Sequence, residues 1–365
     1  MKKIKFGFSG LSHLGICYLI ATALKGYNVV GFDEDSEVIK NLNNKIFPIY
    51  EPHLKNALQK VKKKIVFTDN IYDLKNCNIV FMSKDVPTLS SGKSDLDSVK
   101  RLINKTLKIL EKNTVVVILS QVLPGFTEKL NWNKKLLYYQ VETLIFGKGL
   151  SRAQKPDRLI VGSNNLEITK IYKEFLKSFK CEIIQMNYVS AELSKISINI
   201  FLILSISYAN SMSEVAEKIG ADWGKITKVL KSDNRIGHNS YLTPGFGIGG
   251  SNLKRDILNL ITIIKPDTKN FFFYKTLLDL SKKRIEWLTK ILNKHIKKNL
   301  KISILGVTYK ENTNSIKNSP AIQLIIKFIN TKFYYYDPVV KNLNQKFKNV
   351  HYAKSKEILK NSNIL

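Results

Sequence analysis

Apolar and polar positions along this chain follow two different periods, and the switches between them divide it. Residues 3–35, "KIKFGFSGLSHLGICYLIATALKGYNVVGFDED", run from a short apolar strand through a glycine turn into a helix, then into a second strand that closes on an acid. Further apolar runs at 64–68 ("KIVFT"), 77–83 ("CNIVFMS") and 114–120 ("TVVVILS") are separated by stretches of helical periodicity. Strands alternating with helices predict an α/β fold built on a doubly wound parallel sheet.

From Tyr188 to Gly220 the pattern changes to one long, mostly apolar helix, followed by "DWGKITKVL" and a second long helical stretch over about 270–298. At 301–310, "KISILGVTYK" restarts the strand and glycine rhythm, with a helix expected at 320–329 and a strand at 332–338. The expected division is therefore a Rossmann-like domain at 1–187, a central helical domain at 188–298 and a second, Rossmann-like α/β domain at 299–365. That last domain is expected to be truncated, because the next strand is due at "KNSNIL", where the sequence stops.

Composition narrows the classes. An apolar content of 44% suits an ordinary globular chain long enough for two or three domains. Cys17, Cys77 and Cys181 are widely separated, with no CxxC and no Cys/His spacing of the usual kind, so neither a disulfide framework nor a metal site is expected, and a reducing cytoplasm is. The N-terminus runs straight into the first strand without the apolar stretch of a signal peptide. The most lipid-like run, 196–209, is too short and too interrupted by Ser and Asn for a membrane span, and is expected to be a buried helix. A formal charge of +30 raises nucleic acid as a partner. The lysines, however, are scattered among Asn and Ile without interleaved aromatics, so the charge points instead to residue usage and to small phosphorylated ligands.

The first chemistry lies in the opening unit. Gly10, Ser12 and Gly15 occupy the three positions of a GxGxxG turn between a strand and a helix, with Asp33 at the end of the next strand. Such a turn admits a pyrophosphate to the helix N-terminus, and the acid accepts from a ribose 2'-hydroxyl while repelling a 2'-phosphate, which selects NAD over NADP. Ser12 stands where a second glycine is usual, so either the cofactor sits farther out or the hydroxyl adds a hydrogen bond.

Several segments together resemble one family, the nucleotide-sugar dehydrogenases of the UDP-glucose and GDP-mannose dehydrogenase type. They are "GLSHLG" (10–15), "PIYEPHL" (48–54), "SQVLPGFTE" (120–128), "VETLIFGKG" (141–149), "KPDRLIVG" (155–162), "AELSKISIN" (191–199), "DNRIG" (233–237), "PGFGIGGSNLKRD" (244–256) and "GVTYKENT" with "SPA" (306–321). The resemblance implies an NAD-binding domain, a central helical domain that forms a homodimer and a C-terminal domain that closes over a UDP- or GDP-hexose, whose C6 hydroxyl is oxidised. It identifies Lys195, Asn199, Glu142 and Asp256 as catalytic, Leu14 and Ser120 as cofactor-binding beside Gly10, Ser12, Gly15 and Asp33, and Arg235, Tyr241, Gly245, Gly249, Gly250 and Lys310 as substrate-binding. Independently, Lys195 and Asn199 are four residues apart and share one helix face.

Departures gather around this implied site. Where the family has a cysteine nucleophile stands Asn252, which cannot form a thiohemiacetal; by itself it reads as a helix cap, as does Ser251. Gln121, Val141, Arg255, Asn314, Ser315 and Lys317 also differ from the family pattern. Two outcomes are therefore expected: a nucleotide-sugar dehydrogenase working without a thiol, with Asn252 among its catalytic residues and its product either the aldehyde or, from a hydrated aldehyde held by Asn252 and Glu142, the acid; or a regulatory protein that keeps the sugar-nucleotide and NAD clefts without turnover.

Overall fold

The computed structural model describes residues 4–89, 92–250, 252–295, 301–354, 357–358 and 362–364, and the chain divides into two compact units, Met1–Ile196 and Ser197–Leu365. In the first, strands β1 (Lys5–Ser9), β2 (Asn28–Phe32), β3 (Ile65–Thr68), β4 (Ile79–Met82), β5 (Val115–Ile118), β6 (Leu137–Gln140), β7 (Arg158–Ser163) and β8 (Glu182–Met186) form one sheet in the order β3-β2-β1-β4-β5-β6-β7-β8. Runs such as Val115–Ile118 are buried throughout, as strands covered on both faces must be. The covering helices are α1 (His13–Leu24), α2 (Ser36–Asn43), α3 (Leu54–Val61), α4 (Leu96–Ile109), α5 (Gly149–Gln154) and α6 (Lys170–Lys177). Phe6, Phe8, Phe81, Tyr172 and Phe175 pack ring against ring between sheet and helices, with Phe6 and Phe175 4.6 Å apart.

Strand order reverses where β1 lies beside β4, the place at which open α/β sheets leave a crevice for a ligand. One pairing departs from the expected parallel sheet: β6 and β7 run antiparallel. The segment from 141 to 157 contains only the short α5, too little for a full right-handed crossover, so the chain turns back along the sheet.

Helix α7 (Tyr188–Ile219) starts in the first unit and continues in the second, which adds α8 (Trp223–Ser232), α9 (Asn252–Ile263), α10 (Lys269–His295), β9 (Ile302–Leu305), α11 (Pro320–Lys327), β10 (Phe333–Tyr336) and β11 (Val350–Tyr352). Strands β11-β10-β9 form a parallel sheet, and Ile364 adds a parallel bridge to Ile302 on the far side of β9. The expected buried helix over 196–209 is only half buried: Ile200 and Ile203 point inward, whereas Phe201 is 69% and Tyr208 46% exposed. Continuous apolar sequence hides which face a helix buries, because no polar stripe marks the other.

Both sheets solve the same local problem in the same way. Gly10 N–H donates to Phe32 O at 2.9 Å, and Asp33 Oδ2 accepts from Leu11 N–H at 2.7 Å. Gly306 N–H donates to Tyr336 O at 2.8 Å, and Asp337 Oδ2 accepts from Val307 N–H at 3.0 Å. An acid ending the second strand thus satisfies the bare amides of the glycine turn after the first.

Candidate active site

The dinucleotide turn has the conformation its residues require. Gly10 lies at φ +97°, and a Cβ on Gly15 would stand 2.1 Å from the Gly10 carbonyl oxygen, so only glycine lets α1 begin this close to β1. With Asp33 at the end of β2 and the turn at the switch point, these residues fit NAD. Ser12, in place of the second glycine, is bonded to the neighbouring strand end. Its hydroxyl donates to Ser83 O at 3.2 Å and accepts from Asp85 N–H at 2.7 Å, so it ties the turn to the end of β4. Leu14 N–H, at the start of α1, meets Asp85 Oδ2 at 3.3 Å. Ser120 is likewise a tie: its buried hydroxyl lies 3.1 Å from Met82 O and 2.7 Å from Lys84 O.

Two charged clusters flank the middle of α7, each within its own unit. In the first, Lys195 Nζ lies 2.7 Å from Glu142 Oε1, with the side chains only 8% and 13% exposed, and Glu142 Oε2 accepts from Leu144 N–H at 2.9 Å. One turn earlier on α7, buried Glu192 accepts from Gly125 N–H at 2.6 Å and Thr127 N–H at 2.8 Å. Burial pushes the Glu192 carboxyl up, opposed by those hydrogen bonds. Nothing in the spacing of charges marks Glu192; only the fold brings the 120–128 turn onto it.

In the second unit, Asn199 Nδ2 donates to Asp256 Oδ2, and Arg255 Nε lies 3.6 Å from Asp256 Oδ1, all three residues being buried. The glycine loop before α9 is held at both ends of one peptide: Gly245 N–H donates to Asn210 Oδ1 at 2.7 Å, and Arg284 Nε donates to Gly245 O at 2.9 Å. Gly250 lies at φ +76°, where a Cβ would sit 2.7 Å from the Tyr309 ring. Burial pushes that tyrosine hydroxyl up to about 12. Gly245, Gly249, Tyr309, Gly306 and Pro320 line a cavity of about 600 Å³, within the range of small-molecule sites. Lys310 is half buried beside Tyr309.

The remaining candidates are dispersed. Arg235 is exposed, with its guanidinium on Asp233 at 2.6 and 3.0 Å, and Tyr241 is exposed. Asn252 is the exposed first residue of α9, inside the helix as described, while Ser251 lies outside the described residues.

Known proteins match this chain along nearly its whole length. Models of the UDP-glucose/GDP-mannose dehydrogenase family match its NAD binding domain over residues 4–180, its central domain over 189–280 and its UDP binding domain over 303–365. The chain is 33% identical to a UDP-glucose 6-dehydrogenase of Rickettsia typhi, over 91% of this chain and 80% of that one. It is 27% identical to a UDP-N-acetyl-D-mannosamine dehydrogenase of Pyrococcus horikoshii, over 93% and 85%. In fold it resembles the solved structure of a UDP-glucose dehydrogenase from Pyrobaculum islandicum, with a TM-score of 0.85 at 23% identity, covering 98% of this chain and 87% of that one.

Proposed function

Because the chain belongs to the UDP-glucose/GDP-mannose dehydrogenase family, NAD-dependent oxidoreductases acting on a CH–OH group, we propose that it oxidises the C6 hydroxyl of a UDP-glucose-like nucleotide hexose to the aldehyde without a cysteine nucleophile. The observation that carries this reading is the buried Lys195–Glu142 pair at 2.7 Å. NAD, when bound, accepts the C6 hydride; the hydroxyl proton must leave by another path. The Glu142 carboxylate is the acceptor: as the hydroxyl proton passes through water to Lys195, the ammonium gives one of its own protons to Glu142, with Asn199, its amide oriented by Asp256, as the remaining polar member of the path. In this reading residues 1–187 are a cofactor domain that carries Glu142, 188–298 a central domain that carries Lys195, Asn199 and Asp256, and 299–365 a sugar-nucleotide domain.

The cysteines support the thiol-free part. No cysteine lies in the glycine loop or on α9, and burial raises the Cys77 thiol to about 11 and the Cys181 thiol above its usual value, away from nucleophilic thiolate character. Incubation with UDP- and GDP-hexoses plus NAD is expected to release one NADH per sugar nucleotide consumed. Two would replace the aldehyde by the acid, and none with any of these sugars would remove the enzyme reading. In Asn252→Cys the yield is expected to rise to two, because the thiol adds to the aldehyde, the thiohemiacetal loses a second hydride, and water cleaves the thioester.

We assign the exposed stripe of α7 to a homodimer interface and the protein to the cytoplasm. Phe201, Tyr208, Met212, Val215 and Ile219 recur at spacings of seven, four, three and four residues, and Phe201 and Ile219 are 69% and 72% exposed. Although α7 is long and apolar enough to cross a membrane, Glu192 and Lys195 near its start are held in buried contacts with Gly125, Thr127 and Glu142, which marks that end as core. The double variant Phe201→Asp/Ile219→Asp should run as a monomer by light scattering at a concentration where the parent runs as a dimer. An unchanged mass would assign the interface elsewhere.

A further inference from the structure

We propose that His13, Cys17 and Glu51 form a site for one soft divalent cation, zinc by the chemistry of its donors, beside the dinucleotide turn. His13 and Cys17 are four residues apart on α1 and share one face, and Glu51 comes from the loop ahead of α3. His13 Nε2 lies 2.9 Å from Glu51 Oε2 and 3.6 Å from Cys17 Sγ, and the three donor atoms lie within 4.8 Å of one another. Donors each ~2.0–2.3 Å from a shared tetrahedral metal lie ~3.3–3.8 Å apart, which His13 and Cys17 already match, so binding needs Glu51 to shift by no more than about 1 Å.

The donors are held from behind, as coordinating groups need to be. Glu51 accepts from Gly147 N–H at 3.2 Å and Leu150 N–H at 3.4 Å, and the His13 ring stacks on Phe146 at 4.7 Å. Gly149 makes the approach possible, since a Cβ there would stand 2.9 Å from His13 Cε1 and 3.1 Å from Glu51 Oε2. All three donors are buried in a helix–sheet core where aliphatic side chains would pack at lower desolvation cost. A mixed N, S and O set selects a borderline-soft ion over calcium or magnesium, which take oxygen ligands. Three protein ligands leave a fourth position for water. On binding, the Cys17 thiol proton passes to solvent, the proton between His13 Nε2 and Glu51 moves to Nδ1 of the neutral ring or, from an imidazolium, to solvent, and the His13–Glu51 hydrogen bond is exchanged for bonds to the metal. The ion thereby clamps α1, the 48–53 segment and the 147–150 turn together.

The test uses the full chain, stripped with a chelator and titrated with cobalt(II) chloride. A near-ultraviolet thiolate-to-cobalt charge-transfer band and the visible bands of tetrahedral cobalt are expected, saturating at one ion per chain and displaced by zinc. The charge-transfer band should vanish in Cys17→Val and persist in Cys181→Ser. Zinc chloride at about a hundredfold excess over its dissociation constant should raise the melting temperature by roughly 5 °C in the parent and not in Cys17→Val. Absence of the band in the parent at saturating cobalt, or a band that survives Cys17→Val, overturns the site. The parent titration decides this even where Cys17→Val folds poorly, and Cys17→Ser, nearly equal in size to cysteine, should lose the same band.

Discussion

Replacing Lys195 with methionine is expected to lower kcat by roughly 10²–10⁴-fold, the usual worth of a positioned proton-transfer group, and to cost about 3 kcal/mol of stability. Both effects have one origin. The ammonium lies 2.7 Å from Glu142 in a setting that leaves the two side chains 8% and 13% exposed, so methionine keeps the stem packed while leaving a carboxylate buried without its cation. Denaturant melts measure the second effect and NADH formation under saturating substrate the first. Lys195→Arg separates them: it restores the charge and much of the stability, but a planar fork cannot place a proton where a compact ammonium does. A Lys195→Met enzyme that keeps kcat within tenfold of the parent would take the proton path away from this pair.

The Gly15→Ala variant is expected to bind NAD about tenfold to a hundredfold more weakly. The added methyl would lie 2.1 Å from the Gly10 carbonyl oxygen and 2.8 Å from Ser83 Oγ. Its nearest neighbour is backbone in the turn itself, so α1 must move away from β1 and take the bare amides at its N-terminus with it. Ser12→Gly, which restores the usual three glycines, is the control. It removes the ties to Ser83 O and Asp85 N–H without adding bulk, and its effect on NAD affinity should be several-fold at most. Titration of NAD against each variant checks both, and equal affinities in Gly15→Ala and the parent would mean that the cofactor does not use this turn.

The sequence is most legible where a residue has only one thing to do. Gly10, Gly15 and Asp33 are readable because a left-handed φ, a close helix–strand approach and an acid at a strand end each restrict the residue type severely. Ser12 and Ser120 are less so, since a serine in a turn can serve a ligand, the neighbouring strand or both, and residue identity does not show that these two tie down the end of β4. Glu192 and Arg284 were invisible. Their partners, Gly125 N–H and Gly245 O, are backbone groups 67 and 39 residues away, and a main-chain amide or carbonyl leaves no trace in residue identity. The i, i+4 pair His13 and Cys17 matches no usual Cys/His spacing, and its third member, Glu51, is 34 residues further on from Cys17.

Strands β6, β7, β8 and β11 are not legible in the pattern of apolar positions, but β1 to β5, the long helices, the glycine turn with its closing acid and the asparagine at position 252 are. Periodicity and backbone sterics are local, and local rules suffice for them. Only the tertiary structure decided that β7 turns back against β6, that α7 leaves Phe201 and Ile219 uncovered, and that Lys195 meets Glu142 while Asn199 meets Asp256. Each of those outcomes depends on which surfaces meet when the chain closes, and burial and pairing between residues some twenty to sixty positions apart cannot be read from the neighbours of either.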